Sequence, residues 1–187
     1  MKNIAVIIPT KSESRVLVQN GVRVFHCGVG MAECASATAR ILCDTRPDMV
    51  ILAGTAGTYT ANLIVGETVI VESETIADLG RWSDGEFTPL FQVAYPAQVT
   101  SVAGFKTVRS YTTDTAGGVI TSPVEAEIEN MEGAAFLALC DKMGFPAMEV
   151  RTVSNRVGDT IDGRNMEIAI HRLALDLEKI LARLMED

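Results

Sequence analysis

With two histidines, one tryptophan and four cysteines in 187 residues, the chain has little of the raw material of metal and redox sites. Cys27, Cys34, Cys43 and Cys140 form no CxxC pair, and His26 and His171 alone build no zinc-like cluster. The cysteines read as free core thiols of a reducing compartment. Cations are also scarce: 16 Lys and Arg stand against 24 Asp and Glu, the formal charge is −8, and no basic stripe appears. That balance excludes non-specific nucleic-acid binding. Nowhere do eighteen apolar residues follow one another, as a membrane span needs, and residues 4–9 are too short for the apolar region of a secretory signal. A soluble, cytoplasmic protein acting on a small molecule is expected, with neither nucleic acid nor membrane as partner and no metal or organic cofactor.

What the chain does have is short β-branched runs alternating with helical periods. Residues 4–8 are typical of a strand buried on both faces, expected mid-sheet. Residues 16–19 and 22–27 read as a hairpin across Asn20-Gly21, the strongest short-range turn signal. Gly28-Val29-Gly30 opens a helix over 31–44, with Ala32, Ala35, Ala39 and Leu42 at helical spacing and Pro47 just beyond its end. Further strands are predicted at 49–53, 67–74, 105–112 and 147–153, with a short extended run at 126–128 before a small-residue helix at 133–143. A helix over 164–185 closes the chain, its Ile170, Leu173, Leu177, Ile180, Leu181 and Leu184 forming one stripe. Strands interleaved with helices define an α/β fold, and the hairpin makes its central sheet mixed. One domain, 1–187, is expected, without internal repeat or linker; only 88–104 lacks a clear period.

Candidate chemistry concentrates in two places in the second half. Glu132 lies in Glu129-Asn130-Met131-Glu132-Gly133-Ala134-Ala135, at the junction of the extended run and the helix. A carboxylate there can accept two hydrogen bonds from a vicinal diol, and charge-assisted bonds are about twice as strong as neutral ones. The helix dipole alone also favours Glu at such a position. The strand 147–153 carries Arg151 and delivers Ser154 and Asn155 beyond its end, where ligands of open α/β sheets bind, although a Ser-Asn pair is also an ordinary turn. Gly28-Val29-Gly30 and Gly54-Thr55-Ala56-Gly57 each follow a strand, and glycine there lets backbone amides approach an anion or a reactive oxygen. Neither is a dinucleotide fingerprint, and tight turns without function account for such glycines equally well.

Together these segments resemble the nucleoside phosphorylase and nucleosidase superfamily over nearly the whole chain, which implies a nucleoside phosphorylase-like central mixed β-sheet flanked by helices. In that superfamily a Met-Glu pair, matched by Met131-Glu132, holds the ribose hydroxyls, and a Ser-Asp or Ser-Asn pair, matched by Ser154-Asn155, addresses the purine N7. The two glycine loops, here with Val29, Gly30, Thr55, Ala56 and Gly57, surround the nucleophile. Phosphorylases carry Gly-Asp-Pro and a nearby Arg after the first strand, and an Arg two residues before the Gly-Ser/Thr motif. This chain has Pro9-Thr10-Lys11-Ser12-Glu13 and Leu52 in those places. Hydrolytic members put a Glu in the first region, and Glu13 falls at the matching distance. A carboxylate suits general-base activation of water and repels phosphate, so hydrolysis is expected, with phosphorolysis the alternative that Lys11 supports.

Among hydrolases the resemblance is nearest to futalosine hydrolases of menaquinone biosynthesis, with methylthioadenosine/S-adenosylhomocysteine nucleosidases the alternative. It rests on Ala77-Asp78-Leu79-Gly80, Asp84-Gly85 with Pro89-Leu90, and Ser154-Asn155 with Val157-Gly158, and brings Asp78 into the substrate contacts. The family pattern implies that Glu13 activates water, supported by Thr55 and Arg151. Glu132 fixes the ribose with Met131 packed against it, Ser154 positions Asn155 toward the base, and the protein is a homodimer. The chain departs from the pattern in its shortened first connection and in the short segment 112–127. It also lacks the base-stacking aromatic, Asn165 and Met166 standing where a Trp is expected. A nucleoside-binding protein without turnover is the alternative from another class.

Overall fold

The computed structural model of the protein describes residues 2–17, 22–89, 93–116 and 126–186. In chain order its elements are β1 (Ile4–Ile8), α1 (Lys11–Ser14), β2 (Arg23–His26), α2 (Met31–Thr45), β3 (Met49–Thr58), β4 (Thr68–Ile76), β5 (Gly80–Ser83), β6 (Glu86–Pro89), β7 (Ala94–Pro96), β8 (Lys106–Thr112), β9 (Ile128–Asn130), α3 (Gly133–Met143), β10 (Ala147–Arg156) and α4 (Gly163–Glu186). All five residues of β1 are buried, as an unbroken apolar strand requires, and β1 lies parallel between β2 and β3. Beyond β3 the sheet closes on itself. β10 runs parallel to β3 and antiparallel to β4, β4 pairs with β8, β8 with β9, and β9 returns antiparallel to β3. Five strands form this circuit, and β1 and β2 extend the sheet away from it.

Helices cover both faces. Leu173, Leu177, Ile180, Leu181 and Leu184 of α4 pack on Val6, Ile51, Ile70, Met148 and Val150, so the apolar stripe read from the sequence is the buried one. Each such side chain contributes about 1.5–3 kcal/mol by leaving water. On the other face Cys34, Ile41 and Leu42 of α2 and Phe136, Leu137 and Cys140 of α3 pack on Ala5, Ile7, Val50 and Leu52. A third cluster, including Val69, Val71, Val108, Ile128 and Val153, belongs to the strands of the closed circuit. All four cysteines are free thiols; Cys43 is exposed and the other three are buried.

Three local expectations are corrected. Val16 and Leu17 lie in no strand, and β2 pairs in parallel with β1, so no antiparallel hairpin strand precedes it among the described residues; the Asn20-Gly21 turn itself, with Gln19, lies outside them. The sheet is mixed instead because β10, β9 and β7 each run antiparallel to a neighbour. A two-residue hairpin does form, between β5 and β6, where Asp84 and Gly85 both adopt positive φ, 54° and 82°. A type I′ turn needs that geometry at both central positions, and Asp-Gly satisfies it as Asn-Gly would. Gly54-Thr55-Ala56-Gly57 is not a turn after a strand but the second half of β3. Finally, the extended run before α3 is β9, Ile128–Asn130, two residues later than expected, and the segment without a period contains β7.

Candidate active site

The long strand β3 explains where the site lies. One edge pairs with β10 along its length, while the other is shared, by β1 at Met49–Leu52 and by β9 at Gly57 and Thr58. Between these partners Thr55 needs another acceptor for its backbone N–H. Glu13 supplies it: Oε1 accepts from Thr55 N at 2.9 Å and from Thr55 Oγ1 at 3.0 Å. The short first connection positions Glu13 through a capping box, in which Thr10 Oγ1 accepts from Glu13 N and Glu13 Oε2 accepts from Thr10 N and Thr10 Oγ1. The shortened first connection, read from the sequence as running almost directly into a strand, thus contains one turn of helix, and that turn holds Glu13 in place. Four donors occupy the four lone-pair directions of this carboxylate, so taking a proton from water requires one threonine hydroxyl to turn away.

The second carboxylate, Glu132, is freed by what caps α3. Asn130 Oδ1 accepts from the backbone N–H of Glu132 and Gly133, and Thr112 Oγ1 accepts from Ala134 N. With the helix's first amides satisfied, Glu132 makes no side-chain cap and points elsewhere. Its Oε1 accepts from Gly30 N at 3.1 Å and its Oε2 from Arg151 Nη1 at 3.2 Å, with 4 % of the residue exposed. Gly30, at φ 91°, starts α2, so a glycine loop after β2 contributes through a backbone amide, as that motif suggested. Arg151 is 1 % exposed and also binds Glu149 Oε1 through Nε and Asn130 Oδ1 through Nη2. Gly54 makes room for it: a Cβ there would stand 2.7 Å from Arg151 Nη1 and 3.2 Å from Glu13 Oε1. The guanidinium and the Glu13 carboxylate thus meet around one glycine.

At the end of β10 the register against β3 shifts between Val153 and Asn155. Such irregularities re-aim side chains. Ser154 Oγ lies 2.8 Å from Asn155 Oδ1 and 3.2 Å from the Ala56 carbonyl, and Asn155 Nδ2 donates to the Arg156 carbonyl at 3.0 Å. With Oδ1 taken by Ser154, the amide retains one N–H for a ligand.

These groups surround a cavity of about 550 Å³, a volume suited to a small ligand. Of the sequence-selected residues, Glu13, Val29, Thr55, Ala56, Gly57, Met131, Glu132, Ser154 and Asn155 line it; Gly30 and Arg151 lie directly behind Glu132. Asp78 is not brought to the wall. Its Oδ2 accepts from Thr113 Oγ1 and Asp114 N, and so anchors the segment that contributes Thr113 and Ala116 to the wall. Sequence reasoning missed Thr10, Glu129, Asp159 and the apolar set Ile161, Met166 and Ile170. No aromatic side chain is among the described lining residues; its apolar part is aliphatic and thioether. Nor is any Lys or Arg among them, while Glu13, Glu129, Glu132 and Asp159 are. Glu129 is additionally bound by Tyr59 Oη at 2.5 Å, and burial together with this carboxylate raises the Tyr59 pKa. A smaller cleft of about 380 Å³ beside α4 holds none of the selected residues, and two of its cations are neutralised, Lys106 by Glu67 and Lys179 by Asp176. Among the described residues no group of three or more His, Cys, Asp or Glu is placed to hold a metal ion, and no helix is long and apolar enough to cross a membrane.

Comparison with known proteins bears on the family and the fold. The family model described as the phosphorylase superfamily matches residues 11–103. Futalosine hydrolase of Thermus thermophilus is 29 % identical, with 90 % of this chain and 84 % of that protein covered. Futalosine hydrolase of Streptomyces coelicolor is 30 % identical, with 74 % and 69 % covered. The fold is shared with a crystal structure of a Helicobacter pylori methylthioadenosine/S-adenosylhomocysteine nucleosidase mutant holding 5′-methylthioadenosine, with a TM-score of 0.80, 15 % identity, and 98 % and 99 % of the two chains covered. The chain belongs to the phosphorylase superfamily, in its nucleosidase branch.

Proposed function

We propose that residues 1–187 form one domain that hydrolyses the N-ribosidic bond of a purine nucleoside of the futalosine type, releasing hypoxanthine. The carrying observation is the charge of the wall: Glu13 stands where a phosphate would need cations, no Lys or Arg is among the described lining residues, and Arg151 behind them is already engaged by Glu132 and Glu149. A dianionic phosphate would meet carboxylates there, whereas a neutral water finds a base. Glu13 deprotonates the water once Thr10 or Thr55 turns its hydroxyl aside. Glu132, held by Gly30 and Arg151, accepts from the ribose hydroxyls as the sugar gains oxocarbenium character. Asn155 donates its free N–H toward N7 and steadies the charge on the departing base.

The futalosine reading is supported by the two curated relatives and by Asn155, whose amide suits a 6-oxopurine. The carboxylate of such a substrate has no cation among the described lining residues and belongs at the open mouth, in water. A homodimer fits the exposed Val29 and Ile161 at that mouth, and a cytoplasmic role in menaquinone biosynthesis follows from the same reading. The test is incubation of the purified protein with futalosine, inosine, adenosine and methylthioadenosine, with and without phosphate. Free base and free sugar in phosphate-free buffer are expected, with futalosine the best substrate; strict phosphate dependence refutes hydrolysis, and preference for methylthioadenosine moves the protein to the other branch.

A further inference from the structure

Behind Arg151 lies a second pair of carboxyls that the proposed reaction does not touch. Glu74 of β4 and Glu149 of β10 are both 0 % exposed. They converge on one point: a Cβ on Gly133 would stand 2.3 Å from Glu74 Oε1 and 2.6 Å from each oxygen of Glu149. The partners of the two groups differ in kind. Glu149 Oε1 accepts from Arg151 Nε at 2.8 Å, an ionic contact, while its Oε2 is buried without a donor among the described residues. Glu74 receives only neutral donors, Asn130 Nδ2 at 2.5 Å and Thr112 Oγ1 at 2.7 Å.

Two buried carboxylates so close cannot both remain charged, and the orphaned oxygen of Glu149 requires a proton donor. We propose that Glu74 is an un-ionised acid that donates to Glu149 Oε2, and that this acid–carboxylate pair is the positioning element that aims Arg151 at Glu132. Burial, and then the neighbouring Glu149, raise the Glu74 pKa well above the usual carboxylate range. Burial also raises that of Glu149, but Arg151 opposes it, which makes Glu149 the ionised partner. The groups facing Glu74 are Glu149 and Arg151 from β10, with Glu132 beyond them at the start of α3. From β8 come only the hydroxyls of Ser110 and Thr112, and from β9 the Asn130 amide.

Asn130 makes the linkage tight. Its Nδ2 donates to Glu74 and to Ser110 Oγ, while its Oδ1 accepts from Arg151 and from the amides that begin α3. Loss of the Glu74 proton would put a second negative charge against Glu149, draw the guanidinium toward the pair, and loosen its contact with Glu132. Activity then falls on the alkaline side without any change in Glu13.

The inference rests on the reading of Glu132 as the ribose-holding group, but its first test needs no substrate. Infrared difference spectra of the wild type and Glu74→Gln at pH 8 should show the carbonyl band of an un-ionised carboxylic acid in the wild type only. A raised folded-state pKa stabilises fully below the unfolded value and is lost as pH rises through the folded one. The wild type should therefore lose thermal stability relative to Glu74→Gln from about pH 5 upward. In base release, Glu74→Ala should lower kcat/KM at least tenfold. Glu74→Gln, whose amide also donates to Glu149, should restore most of it and remove the alkaline limb of the pH profile. Absence of the acid band, or equal damage by Gln and Ala, overturns the proposal. A band together with no base release from any nucleoside would instead refute the enzymatic reading and leave the proton in place.

Discussion

Replacing Glu132 by Gln changes one oxygen for an amino group and removes one charge, and the surroundings set the size of the effect. The carboxylate receives two donors, Gly30 N–H and Arg151 Nη1, from opposite sides. A Gln can turn its oxygen toward one of them only by turning its NH₂ toward the other, so a donor-to-donor contact replaces a hydrogen bond either way. At 4 % exposure, bulk solvent does little to relieve it. Breaking a buried pair from one side costs about 3–5 kcal/mol, and the low end is expected because Arg151 keeps Glu149 and Asn130. Three kcal/mol corresponds to a Tm lower by about 8 °C in a chain of this length, which leaves the protein folded. The catalytic effect is separate. Loss of one charge-assisted contact to the ribose diol removes about 2 kcal/mol of transition-state stabilisation, or about thirtyfold in kcat/KM. Steady-state base release below the Tm of the variant, beside a thermal melt, measures both. A kcat/KM within about twofold of wild type, with the Tm lowered as expected, would show that Glu132 is a structural partner of Arg151 and not a substrate ligand.

Asn155→Asp should narrow or reverse the preference for 6-oxo over 6-amino purine nucleosides with the same 5′ group, measured as a ratio of kcat/KM values; an unchanged ratio removes Asn155 from the base site. The new oxygen would also face the Arg156 carbonyl, now 3.0 Å from Nδ2, so the variant should favour the protonated acid and work best at lower pH than the wild type. Gly54→Ala places a methyl 2.7 Å from Arg151 Nη1, and that arginine is held by four acceptors, Glu149, Glu132, Asn130 and the Thr55 carbonyl, and cannot withdraw. A loss of about 1–3 kcal/mol in stability and at least tenfold in kcat/KM is expected from melts and base-release assays, and a neutral outcome would show that the Glu13–Arg151–Glu132 arrangement tolerates displacement.

Sequence alone carried the elements that local pattern decides. The bounds of β1 and α3 coincide with those read from an unbroken apolar run and a run of small residues, because burial on two faces and a helix that a glycine stops are each written within a few residues. Two dipeptides with the same turn chemistry show the limit. Asp84-Gly85 forms the two-residue hairpin, whereas the segment leading to Asn20-Gly21 begins as a helical turn, since Thr10 and Glu13 complete a capping box that competes with strand formation. The Thr10-x-x-Glu13 spacing was legible and would have found α1. The residues behind the site were legible only as anomalies. Glu149 and Arg151 interrupt an apolar strand, but their partner Glu74 is 75 residues from Glu149, and no local period announces a pairing across β4 and β10. Asp78 illustrates the converse: a motif match places it near the substrate, while its hydrogen bonds show it supporting the wall from outside.

The position of the site follows from a backbone accounting that side-chain motifs alone do not express. A strand of ten residues with β10 on one edge needs partners along the other, and β1 stops at Ile8 while β9 reaches only Gly57 and Thr58. The chain fills the interval with a carboxylate instead of a strand, so Thr55 is bound by a group that can also take up a proton. The same interval leaves Gly54 without a side chain, and Arg151, opposite it in register on β10, occupies the space. Lengthening β1 by two residues would pair the Thr55 amide, remove the need for Glu13, and close the cavity floor. The interruption in strand pairing is therefore what makes this fold a site, and glycine at position 54 and glutamate at position 13 are two consequences of it.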